Sequence, residues 1–192
     1  MAYNFFAFMN RMKYIERWSL MRSNQKENIL EHSLQAAQIA HALALINNKL
    51  FGGKLDAGFI ACAAMYHEAS EVITGDLPSP IKYYNPAIKE AYKNIEQIAN
   101  DKLLSMLPDA LKGEYEKLIK VDPSSIEYKY IKAADKLCAY IKCIEELKTG
   151  NLEFHKAGAA IKADLEKIDL PEVAYFMHNF IAAYEKTLDE LD

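Results

Sequence analysis

Apolar residues recur every three or four positions along almost the whole chain, and no segment alternates with period two for long enough to specify a strand. This pattern predicts an all-α protein, a compact multi-helix bundle. A first helix places Phe5, Phe8, Met9 and Met12 on one face and ends before Arg17-Trp18. A second, from about Glu27 to Asn48, runs through Ile29, His32, Leu34, Ala36, Ile39, Ala40 and Leu43, and the Gly52-Gly53 pair breaks it. Asp56 caps a third through Phe59, Ile60, Ala63, Ala64 and His67, apolar nearly all round and so expected to be buried. The prolines of Thr74-Gly75-Asp76-Leu77-Pro78-Ser79-Pro80 then predict a rigid loop, because each forces the residue before it to be extended. Asn85-Pro86 opens another helix that runs to about Met106, and a short one spans Pro108 to Ile119. The next long helix, Pro123 to Lys148, sets Ile131, Ala134, Asp135, Cys138 and Ile141 along one side, with Gly150 as its stop. Two last helices, about Leu152 to Lys167 and Pro171 to Leu188, complete the bundle.

Length and composition agree with one domain spanning residues 1–192. An apolar content of 51% over 192 residues fills a sizeable core without disulfides or a structural metal. The net charge of −4 lacks the basic stripe that a nucleic-acid backbone demands, so polymeric DNA and RNA are excluded as partners. Cys62, Cys138 and Cys143 are odd in number, lack C-x-x-C spacing and sit among apolar neighbours, which predicts small buried hydrophobes in a reducing compartment. With no charged leader and no apolar run of membrane-spanning length, the expectation is a cytoplasmic protein without membrane contact.

The chemistry lies in Glu31-His32-Ser33, His67-Glu68-Ala69-Ser70-Glu71 and the lone Asp135. His67-Glu68 is not the start of a zincin motif, since the position one turn on from His67 is Glu71 rather than histidine. His32, His67 with Glu68, and Asp135 come instead from three separate helices, each on an Ala- and Ile-rich face where a charged or unpaired polar group is costly. A shared divalent cation satisfies all of them, and the mix of imidazole and carboxylate suits manganese, cobalt, nickel or zinc. Arg17 offers a planar, permanent cation for a phosphate, and Trp18, the only tryptophan, an aromatic wall. His41, His155 and His178 fall outside these motifs and are expected to be structural or surface residues.

These strings resemble the H…HD…D signature of HD-domain phosphohydrolases. Arg17-Trp18, Asn28 to Ser33, Ala64 to His67, Ser70 to Val72, Thr74 to Pro80 and Ala133 to Lys142 resemble, in the same order, the bacterial HD-domain 5′-deoxynucleotidases. The resemblance weakens after about Gly150. It implies a cytoplasmic homodimer that uses one divalent metal, cobalt or manganese before zinc, nickel or magnesium. The implied reaction is hydrolysis of 2′-deoxyribonucleoside 5′-monophosphates to deoxynucleoside and phosphate, broad for the base. It further implies that His32, His67, Glu68 and Asp135 hold the metal and that Glu71, with Arg17, is catalytic. The implied substrate contacts are Arg17, Trp18, His32, Glu68, Asp76, Leu77, Pro78, Ser79 and Asp135. Glu71, placed one helical turn from His67, is expected to act as general base towards the attacking water, or as a proton relay to it. One departure stands out: the family's paired aspartate is Glu68 here, one bond longer, or roughly 1.5 Å of extra reach. The alternatives are an HD-domain hydrolase of another phosphorylated metabolite, or a nucleotide-binding sensor whose metal site Glu68 has disabled.

Overall fold

The computed structural model describes residues 2–191 as a bundle of helices joined by tight turns. Asn28, not Glu27, begins the second helix. Its side chain accepts from Leu30 N and Glu31 N, and Glu31 reaches back to Asn28 N at 3.3 Å, so a capping box fixes the start. After α1 (Phe5–Met9) and a 3-10 turn (Asn10–Tyr14), the helices are α2 (Ile29–Leu50), α3 (Ala57–Met65) and the short α4 (Glu71–Thr74) and α5 (Ser79–Lys82). They continue with α6 (Pro86–Ser105), α7 (Asp109–Ile119), α8 (Ile126–Lys148), α9 (His155–Leu165) and α10 (Pro171–Asn179). Among the described residues the only β pairing is an isolated bridge, Glu16 to Asn28, and no helix is long and apolar enough to cross a membrane.

Several expectations are corrected in detail. The third helix stops at Met65, so His67 and Glu68 sit in a run of turns rather than on a helix, and Cys62 and Met65 are exposed. Leu34 points outward from α2, 55% exposed, although its neighbours Ser33 and Ala36 are buried. Ser125, rather than Pro123, caps α8. The proline-rich loop is shorter than expected because Ser79 already begins α5, where Pro80 fills a first-turn position that has no use for an N–H. The final helix breaks at Phe180 into a 3-10 turn (Ile181–Glu185).

The buried side chains form two apolar clusters. The larger joins α2, α3, α8, α9 and α10 through residues such as Leu43, Ile60, Leu137 and Ile141. The smaller joins α1, α6 and α7 to the first residue of α2, through Phe5, Met12, Ile29, Leu103 and Leu107, and includes Ala69. His32 lies between Ile29 of one cluster and Ala36 of the other, and His67 between Ala64 and Ala69, so both imidazoles fall where the clusters meet.

The segment from Ile15 to Ile29 is clipped shut at its base: Arg17 N donates to Glu27 O at 2.9 Å and Ile29 N to Ile15 O at 3.0 Å. Its tip is tied to the end of α8. Glu146, 1% exposed, accepts from Asn24 N at 2.8 Å, Gln25 N at 3.0 Å, Asn151 Nδ2 at 2.8 Å and Lys142 Nζ at 2.7 Å, and Lys142 also donates to Gln25 O. Burial opposes ionisation, yet these donors hold Glu146 down at about 2. Stability from this carboxylate is therefore present above its ordinary value of 4.5 and lost as pH falls towards 2. Urea unfolding followed by circular dichroism is expected to find Glu146→Gln less stable by about 3 kcal/mol near neutral pH. That difference should narrow below about pH 4.5; one that persisted unchanged at low pH would show that the charge contributes nothing.

Candidate active site

His32 stands one turn into α2, 1% exposed, with Nε2 3.1 Å from Asp135 Oδ1. Its Nδ1 is buried without a hydrogen bond, 3.8 Å from Glu27 Oε1. Asp135 comes from the middle of α8, where Ala134 and Cys138 face the core. The chain after α3 turns repeatedly, with Ala69 N donating to Tyr66 O at 2.9 Å and Glu71 N to Glu68 O at 3.0 Å, and these turns bring His67, Glu68 and Glu71 towards the same point. His67 Nδ1 donates to Ala64 O at 2.7 Å, which fixes the ring. Nε2 then faces Glu68 Oε1 at 3.3 Å and Asp135 Oδ1 at 3.9 Å but makes no hydrogen bond. Ligand atoms of His32, His67, Glu68 and Asp135 lie within 4.8 Å of one another. The longer arm of Glu68 thus reaches the cluster.

Charge in this enclosed space is balanced by protons and by cations at the rim. Burial alone would lower His67, but Glu68 and Asp135 lift it to about 9. Burial and the neighbouring Glu68 push Glu71 up to about 11, which favours its protonated form. Despite burial, Glu68 is held below its ordinary value, chiefly by His67, and Asp135 well below its own by Lys132, His32 and His67. Burial, reinforced by Arg17, lowers His32.

Arg17 and Trp18 stand at the edge of the cluster. Glu27 Oε2 accepts from Arg17 Nε at 3.3 Å and from Trp18 Nε1 at 3.0 Å. Trp18, whose ring also packs edge-on against Phe154 with centroids 5.3 Å apart, has φ +60 and is the only non-glycine residue with positive φ among those described. Asp76 follows Gly75, whose φ of +73 turns the chain after α4; burial raises Asp76 while Arg17 opposes the rise. Leu77 and Pro78 are half-buried beside it, and Ser79 is exposed. Lys82 Nζ binds Glu96 at 2.8 Å and so ties α5 to α6 behind this turn. His41, His155 and His178 are exposed, away from the cluster. Cavities of about 430 and 420 Å³ lie along α8, α9 and α10 around Tyr140 and Lys162, and contain none of the clustered residues.

Two neighbours of the cluster carry no motif of their own. Glu27 links Arg17, Trp18 and His32, and Lys132 binds Asp135 Oδ2 from one turn earlier on α8. Lys132 at i−3 of Asp135 is a readable helix pair. Glu27, ten residues from Arg17, leaves a trace only in the capping box, which shows that it lies outside α2.

Residues 4–184 match the family model for YfbR-like 5′-deoxynucleotidases. A 5′-deoxynucleotidase of Vibrio vulnificus (strain YJ016) is 50% identical over 189 residues, 98% of this chain and 97% of that protein. An HD-domain phosphohydrolase from Listeria innocua has the same fold, with a TM-score of 0.81 at 21% identity over 94% of this chain and 88% of its own. The cyanophage S-2L HD phosphohydrolase bound to dA and one catalytic Zn²⁺ ion superposes with a TM-score of 0.62 at 18% identity, over 92% of this chain and 95% of its own. With its buried histidine and carboxylate cluster and a match that spans nearly its whole length, the chain belongs to the YfbR-like 5′-deoxynucleotidase family.

Proposed function

We propose that this chain, acting as one domain over residues 1–192, hydrolyses 2′-deoxyribonucleoside 5′-monophosphates to deoxynucleoside and phosphate, with breadth for the base. The observation that carries this reading is the convergence of His32, His67, Glu68 and Asp135 beside Arg17 and Glu71, in a chain whose relatives are named 5′-deoxynucleotidases. The four residues suit a divalent ion on three counts. Their donors are imidazole and carboxylate, His67 Nε2 is buried without a partner, and protons on His67 and Glu71 balance charge that a divalent cation would balance instead. Manganese or cobalt is the proposed ion, with zinc, nickel and magnesium as competitors; the cyanophage relative's zinc supports a single catalytic ion. When bound, the ion supplies Lewis acidity to the phosphoryl oxygens, acidifies a coordinated water and cancels the negative charge that keeps Glu71 protonated.

The residues then divide the remaining work. Ionised Glu71 takes the proton of the attacking water as general base; as the water oxygen bonds to phosphorus the P–O5′ bond breaks, and the departing 5′-oxygen takes up that proton to leave as the hydroxyl of the deoxynucleoside. Arg17 neutralises and orients the phosphate, for which its planar fork is suited. Trp18, Asp76, Leu77, Pro78 and Ser79 bound the space for sugar and base, and crowding there disfavours a 2′-hydroxyl. The exposed aromatic rings of Tyr175 and Phe180 support assembly as a homodimer, and the free thiols Cys138 and Cys143 support a cytoplasmic home.

Phosphate release from dAMP and AMP by metal-stripped protein resupplied with each ion is expected to be metal-dependent and faster for dAMP. Glu71→Gln should lower kcat by roughly 10²- to 10⁴-fold. Turnover without added metal, or an unaffected Glu71→Gln, would count against the mechanism. No turnover of any deoxynucleotide by the metal-loaded protein would favour the sensor reading.

Ion binding displaces the protons of His67 and Glu71, so calorimetry in buffers of different ionisation enthalpy should report release of about two protons per ion near neutral pH. Affinity should rise with pH, and less steeply above about 9, where His67 loses its proton unaided. Binding without proton release would rule out this exchange.

A further inference from the structure

We propose that Glu27 is a positioning residue that holds Arg17 and Trp18 together as one substrate-facing unit. This rests on the substrate roles given to those two residues above.

A single oxygen of Glu27, Oε2, accepts from both Arg17 Nε and Trp18 Nε1. The Arg17 bond uses one of the guanidinium's five N–H donors, so the paired terminal groups keep their capacity for a phosphate. Glu27 and Arg17 have side chains only 12% and 13% exposed, which limits solvent screening of the pair. The backbone repeats the connection, because Arg17 N donates to Glu27 O at 2.9 Å beside the Glu16 to Asn28 bridge.

Trp18 has a particular need of such a partner. A bulky residue at φ +60 is an outlier that persists only where its surroundings over-determine it. The indole N–H bond to Glu27 supplies one constraint, and the Phe154 ring and the Met21 N to Trp18 O bond of 2.8 Å supply others. Glu27 itself directly precedes Asn28, the cap of α2, and the helix that carries His32 therefore sets its position. The carboxylate transmits the placement of that helix to two side chains that sequence puts ten and nine positions away.

The test uses Glu27→Met, which keeps the length of the side chain but removes both carboxylate oxygens, so that neither Arg17 Nε nor Trp18 Nε1 finds an acceptor there. Trp18 is the only tryptophan, so its emission reports on this contact without substrate. The expected result is a shifted emission maximum and stronger acrylamide quenching with unchanged circular dichroism. Alongside it, kcat/KM for dAMP should fall by at least about tenfold. In an Arg17→Ala background the same substitution should cost clearly less, because only the part of its effect that runs through Trp18 remains. Unchanged emission and quenching would overturn the proposal, and so would an equal loss in the Arg17→Ala background. Wild-type turnover in Arg17→Ala would overturn the substrate role of Arg17 and with it the proposal's functional half. An impaired Arg17→Ala with a wild-type Glu27→Met would overturn the positioning role alone. If Glu27→Met misfolds, Glu27→Asp, which keeps the charge but withdraws it by about 1.5 Å, is read by the same criteria.

Discussion

The burial of several carboxyl groups in one small space is the constraint around which this molecule is arranged. Asp135, Glu68 and Glu71 converge from α8, the turns before α4 and the first residue of α4, where apolar packing offers nothing to stabilise three negative charges. The chain answers in two ways. Glu71 stays protonated, and His67 takes a proton that burial alone would deny it. Lys132 adds a permanent cation at the outer oxygen of Asp135. Such a balance stabilises the fold only while every member is present, because removing one partner of a buried charge group leaves the others uncompensated. A divalent ion meets the same electrostatic demand with one ligand, and this makes a site tuned to bind cations compatible with an apolar seam between two helix clusters.

Placement of the seam explains why the fold spends so much polar chemistry on the segment between Ile15 and Ile29. That segment has little apolar surface of its own to anchor it. Its order comes instead from the bridge at its base and from Glu146 and Lys142 at its tip, both nearly fully buried at the end of α8. Asn151 Nδ2 adds a bond to Arg22 O at 2.7 Å. Asp135 and Glu146 stand on one helix, so α8 fixes at once the centre of the cluster and the segment that brings Arg17 to its rim. A long, rigid element carrying both is a direct way to keep a guanidinium and a carboxylate cluster in register.

Periodicity made the long elements legible because their apolar faces are wide and their ends are chemically marked. The Asn85-Pro86 start and the stop at Gly150, whose φ is positive, are local signals that the structure uses as sequence suggests. Failure came where tertiary demands override local preference. From Phe59 to His67 the apolar pattern reads as an unbroken helix, yet α3 ends at Met65. On one continuous helix His67 and Glu68 would project about 100° apart, so that their side chains would have to bend back to meet at one centre. The turns at 66–70 remove that conflict, at the cost of a helical periodicity that the sequence continues to display. Cys62 was misplaced by the same assumption, since a helix thought to be buried all round has an exposed side.

Glu27 was invisible for a different reason. A glutamate between Lys26 and Asn28 is indistinguishable from a solvated surface residue, and nothing in its neighbourhood announces Arg17 as its partner. Its environment follows from the closure of the segment, which is a tertiary event made of the bridge and the Glu146 contacts. Metal-ligating side chains can be guessed from residue type and spacing because the ion restricts which groups serve. Side chains that orient other side chains are under no such restriction of type: any acceptor of the right length suffices, so only geometry identifies them. The legible part of this site is accordingly the part that chemistry restricts, and the part that sets its precision emerges only once the chain has folded.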